Sequence, residues 1–196
     1  MKTFTNFITS RYSRQGLWSL FLMCAFPLHF WTMILVFRDM SWVIERTNVW
    51  DAIGVGSYGM IFAFAESVII FLIVILLGFL TPRPWGIDKR IAFLSLLVLI
   101  TALWAMISQL LFLWNVNLPE SAIRWIARSG HPLWILYFIS LAFVFPSVLL
   151  PVYWFIRSEK SVGFMRELSE RLSVLAVFYL FFDLAGLVVV VIRNIS

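Results

Sequence analysis

Five stretches of the chain are apolar over about 20 residues or more: 17–37, 57–80, 91–113, 132–156 and 172–192. A helix needs roughly 20 apolar residues to cross a hydrocarbon core about 30 Å thick. None of the five shows the every-other-residue alternation of a transmembrane strand. In lipid, moreover, a helix satisfies each backbone group within its own segment. The pattern therefore predicts an all-α integral membrane protein, with residues 1–196 forming one domain, a bundle of five transmembrane helices.

The polar intervals predict smaller elements. In "NLPESAIRWIARSG", Pro119 and Glu120 are helix-start residues and Gly130 is a stop. A short helix lying on the outer membrane surface is expected there, with Ile123 and Ile126 on one face. A second interfacial helix is expected in "RDMSWVIERTNVWDAIGVG", which mixes tryptophan and isoleucine with charges. "EKSVGFMRELSERL" is expected to extend the last helix, with Glu167 and Arg171 four apart on one face.

Composition agrees with this picture. The 196 residues are 62% hydrophobic and 13% charged, whereas soluble domains carry about 25% charged residues. The mean hydropathy is +0.96.

The net charge of +5 does not indicate nucleic acid as a partner, because the basic residues are scattered between apolar runs and form no single stripe. Orientation explains them better. With the N-terminus inside, ten Lys and Arg fall on the inner side, and Arg38, Arg46, Arg124, Arg128 and Arg193 on the outer. That bias predicts an N-in, C-out topology. Trp18, Trp42, Trp50, Trp85, Trp114, Trp134 and Trp154 fall near span ends, as an aromatic belt does.

Cys24 is the single cysteine, so no intramolecular disulfide can form. Met23 precedes it where a lipoprotein signal needs a small residue. The basic N-terminal stretch leads into an apolar run of about 21 residues, longer than the roughly 7–15 of a signal-peptide core, which predicts a retained helix.

A few polar residues interrupt the apolar runs, and they carry the candidate chemistry. On the second span Ala52, Gly56, Gly59, Ala63 and Glu66 follow helix-seam spacing, and Gly59, Ala63 and Ser67 place a small residue at every fourth position. Small residues mark close helix packing in membranes. On the fifth span Ala176, Tyr179, Asp183 and Gly186 repeat the pattern, and on the first span Ala25, His29 and Thr32 do so. Pro27 removes one donor from the first span and is expected to kink it or leave a spare acceptor.

At 1.5 Å per residue, His29 and Asp183 lie about 17–18 Å from the inner ends of their spans, and Glu66 lies about 14 Å from its outer end, hence about 16 Å from the inner side of a core about 30 Å thick. An intramembrane polar cluster of His29, Glu66, Asp183 and Tyr179 is expected at that level. Alone, an acid at such depth would keep its proton, since a charge at the bilayer centre costs at least about 2.5–3.5 kcal/mol. Beside histidine it can share one.

Other chemistry finds less support. No HExxH, GxSxG or Gly-rich phosphate loop is present. Two histidines, His29 and His131, fall on different levels, so neither a metal nor a haem is expected. Asp39, Glu45 and Asp51 are the catalytic candidates if the chain is an intramembrane lipid or sugar enzyme. Arg83, Lys89 and Arg90 are positioned to touch lipid phosphates.

The reading that fits the short length and the absence of catalytic motifs is a non-catalytic accessory subunit or scaffold. Its partners would be the bilayer and other membrane proteins or further copies of itself, in a plasma (inner) membrane, with no cofactor. The alternative is a small proton-linked transporter using the midplane acids.

Overall fold

The computed structural model describes residues 11–113 and 118–195. Lys2 and Trp114, counted above, lie outside them. Among the described residues the chain is all-helical. The elements are α1 (Arg14–Arg46), α2 (Val49–Gly78), α3 (Ile87–Leu113), α4 (Glu120–Arg128), α5 (Pro132–Arg157) and α6 (Glu159–Ile195). All but α4 are long and apolar enough to cross a membrane.

The helices overrun the apolar stretches because Arg, Lys and Glu, which fill much of the overrun, are good helix formers where water can reach them. The segment 38–56, expected to hold a separate interfacial helix, is instead the end of α1 and the start of α2, with Thr47 and Asn48 between them. Asn48 explains the sharp restart. Its side chain accepts from the Asp51 N–H at 2.9 Å and donates to the Asp51 carboxylate at 2.8 Å. Likewise Ser13 caps α1 by accepting from the Gly16 N–H at 2.9 Å. The short helix α4 starts after Pro119 and is followed by Gly130 at φ 73°, a left-handed stop that suits glycine. At the far end of the chain α6 absorbs the whole polar segment before the fifth span, and Arg171 donates to Glu167 at 2.6 Å.

α1 is the centre of the bundle and packs chiefly on α2, α6 and α3. It continues unbroken through Pro27, which is buried. One core cluster joins Tyr12, Leu20, Cys24, Val74, Ile91, Leu94 and Val98. A smaller one joins Ala92, Phe155 and Met165. α5 lies at the periphery: none of its most apolar 18-residue stretch is buried, against 44% in α1.

The helix ends gather at two levels. At one, here the Arg90 end, Arg90 is 2% exposed. It donates to the Thr81 hydroxyl at 2.8 Å and to the Arg11 and Trp85 carbonyls at 2.8 and 3.1 Å. Arg90 is thus spent inside the protein, which corrects its expected role toward lipid phosphate. Tyr12 donates to the Ile75 carbonyl at 2.8 Å beside it, and burial pushes its phenol above the usual range against the pull of Arg90 and Arg11. At the other level, the Asp51 end, Arg193 donates to Asp51 at 2.7 Å and to the Trp50 carbonyl. It crosses Gly54, where a Cβ would meet the guanidinium at 2.6 Å.

Candidate functional site

The small-residue stripes seat the helices that hold the site. At Gly59 a Cβ would meet the Thr32 methyl of α1 at 3.3 Å, and at Gly56 the Val36 side chain at 3.2 Å. At Gly186 it would meet the Ser57 carbonyl oxygen at 3.2 Å. Ala63, Ser67 and Ala176 are buried. Ser67 donates to the Ala63 carbonyl at 2.6 Å, so its hydroxyl is satisfied within α2. The stripes therefore bring α1, α2 and α6 close, as small residues do where helices must approach in lipid.

That approach sets His29 of α1 against Asp183 of α6. His29 is fully buried, and the Asp183 side chain is 11% exposed. Imidazole Nδ1 lies 2.8 Å from the Ala25 carbonyl oxygen. A carbonyl only accepts, so Nδ1 carries the hydrogen. Nε2 lies 2.9 and 3.0 Å from the two Asp183 oxygens. Nitrogen and carboxylate can attract at that distance only with one proton between them. The pair is either imidazolium and carboxylate, or imidazole and carboxylic acid. In both forms it is neutral overall, which is how two ionisable groups become tolerable at this depth. The Tyr179 ring lies nearly parallel to the imidazole, 5° between planes with centroids 6.1 Å apart, and Phe26 stacks on its side.

Three of the four residues expected in the polar cluster, His29, Asp183 and Tyr179, thus come together. Glu66 does not join them. It is exposed, and among the described residues its carboxylate makes no hydrogen bond. The reason is rotation about the α2 axis. A helix turns about 100° per residue. Phe64, with Ile61, borders Asp183, and Glu66 points about 200° away from Phe64. It also lies about 60° from Ala63, off the buried seam line. Glu66 faces a groove of about 310 Å³ between α1 and α2, with Thr32, Val36, Gly59 and Ala63 among its walls.

The expected catalytic acids form no site together. Asp39 pairs with Arg38 at 2.7 Å, Asp51 with Arg193, and Glu45 is exposed. Among the described residues no group of three His, Cys, Asp or Glu is arranged to hold a metal. In the third span Thr101 and Ser108 bond to carbonyls of their own helix, and Gln109 accepts from Trp31 of α1. Trp104 donates to Ser147 of α5 at 2.7 Å, a tie that spacing alone did not signal.

No family model matches the chain, and neither a curated protein nor a solved structure matches it.

Proposed function

We propose that the chain is a non-catalytic accessory subunit or scaffold of a plasma-membrane assembly, oriented N-in and C-out. In this reading it receives a partner's transmembrane helix in the α1–α2 groove. The observation that carries this is Glu66: a carboxylic acid in the middle of a span, exposed beyond its own bundle. Facing acyl chains it would be left unsatisfied at a cost of several kcal/mol. A hydrogen-bond donor on a neighbouring helix removes that cost. Gly56 and Gly59, which are not fully buried, line the same groove.

The test is the particle released from native membranes by mild detergent. The wild-type chain is expected in a larger assembly, and Glu66→Leu is expected to release it as a smaller particle without unfolding it. A wild-type chain that is purely monomeric, or an assembly indifferent to Glu66→Leu, overturns the reading.

The His29–Asp183 pair supports a second reading, a proton-linked carrier, because it holds one proton near mid-membrane in two interchangeable forms. Proteoliposomes would then show pH-dependent flux that Asp183→Asn abolishes. Flux absent at every pH, or unchanged in the variant, removes this alternative.

A further inference from the structure

A cleft of about 380 Å³ opens at the Arg90 end between the starts of α1, α3 and α6. Asp88, Arg166 and Glu170 line it together with Ser169 and Ser173, and farther along α1 and α6 it is lined by Leu22 and Val177. Ser169 is 4% exposed, and its hydroxyl oxygen is buried with no hydrogen-bond partner among the described residues. The hydroxyl oxygen of Ser173 is in the same condition. Serines in apolar helices ordinarily bond back to a carbonyl one turn earlier, as Ser57 and Ser67 do here. Two serines one turn apart that do not, both lining one cleft, leave two buried hydroxyls for a ligand.

From these we infer that the cleft binds the headgroup of an aminophospholipid, a membrane lipid carrying both a phosphate and a primary ammonium group. Polarity along α6 falls in the order a lipid presents it. Charges stand at Arg166 and Glu170, hydroxyls at Ser169 and Ser173, and apolar side chains at Val174 and Val177, over about 16 Å.

The charges select the headgroup. Arg166 is already shared between Glu170 at 3.2 Å and Asp88 at 4.0 Å, so this trio carries one negative charge in excess. A headgroup that is only anionic meets that excess. A quaternary ammonium has no N–H to give. A primary ammonium donates to the Asp88 and Glu170 carboxylates while its phosphate accepts from the two serine hydroxyls. The inference is independent of the Glu66 groove, which lies between α1 and α2.

The test is native mass spectrometry of the full chain in mild detergent, titrated with phosphatidylethanolamine, phosphatidylcholine or phosphatidylglycerol. Phosphatidylethanolamine is expected to bind about tenfold more tightly than the other two. Ser169→Ala with Ser173→Ala is expected to weaken it about tenfold, equivalent to about 1.4 kcal/mol, with thermal unfolding showing the helix intact. Asp88→Asn with Glu170→Gln is expected to erase the preference over phosphatidylcholine. Equal binding of the three lipids, or phosphatidylethanolamine binding that the double serine change leaves unweakened, overturns the inference. Soluble glycerophosphoethanolamine competing as well as the lipid would overturn the membrane source of the ligand.

Discussion

Asp183 and Glu66 are both acids in the middle of long apolar helices, and their surroundings differ completely. Asp183 is turned into the bundle, where His29 meets it at 2.9 Å and Tyr179 lies against the imidazole. Glu66 is exposed toward the α1–α2 groove, with no hydrogen bond among the described residues. Depth is shared, and facing separates them. An acid satisfied within its own chain holds that chain together, whereas under the proposed function Glu66 would be satisfied from outside and would select what the chain meets.

The sharpest way to break this contrast is to remove the partner of the buried member. Asp183→Ala leaves His29 Nε2 buried without its partner and is expected to lower unfolding stability in detergent by about 3 kcal/mol. Replacing His29 and Asp183 together by leucine is expected to lower it by less than the two single changes summed. Additivity within about 0.5 kcal/mol would show that the pair contributes no coupling.

The packing that aims Asp183 inward can be disturbed next. Gly186→Leu forces a side chain against the Ser57 backbone and is expected to lower the same stability by about 2 kcal/mol. Gly163, in the polar part of the same helix, has nothing within 4 Å of a Cβ position. Gly163→Ala is therefore expected to stabilise by up to about 1 kcal/mol.

Tyr12 extends the contrast to the Arg90 end, since its hydroxyl, like the Asp183 carboxylate, is satisfied internally. Tyr12→Phe is expected to lower stability by about 1 kcal/mol through loss of the bond to the Ile75 carbonyl. Its phenol is raised above 10.0 in the folded chain. Burial of the neutral form therefore stabilises fully below about pH 10, and that contribution is lost as pH rises through the folded value. A pH titration of wild type against Tyr12→Phe reads the difference.

The smallest effect belongs to the exposed member. Glu66→Leu is expected to change the stability of the isolated chain by less than about 0.5 kcal/mol. A large destabilisation would mean that Glu66 is satisfied from within after all, and the contrast would fail.

Much of the fold is legible in the order of residues. The five apolar runs locate the spanning helices, because only a helix of that length closes its backbone hydrogen bonds in lipid. The cues at Pro119 and Gly130 bound α4. Helix ends were less legible. Nothing in "SWVIER" stops α1 before Arg46, since a helix leaving hydrocarbon for water need not end there.

The candidate site was legible by halves. Equal depth in His29 and Asp183 is a matter of counting residues at a fixed rise, and the two do meet. For Glu66 the count and the seam spacing both missed, because the seam through Gly56 and Gly59 packs on α1 and Glu66 lies about 60° off Ala63. The buried Arg90 and the open hydroxyls of Ser169 and Ser173 had no local signal at all. Their surroundings are assembled by Arg11, Thr81 and residues of α1 and α3 that are distant in the chain.

The sequence by itself determined that this chain makes long apolar helices and how far along each one its polar groups sit, since rise per residue and backbone satisfaction are local properties. Which way those groups face was decided only when α1, α2 and α6 closed on their glycines and alanines. Packing chooses the rotation of each helix about its axis, and about 100° per residue is enough to turn a neighbour of the core into a residue on the outside.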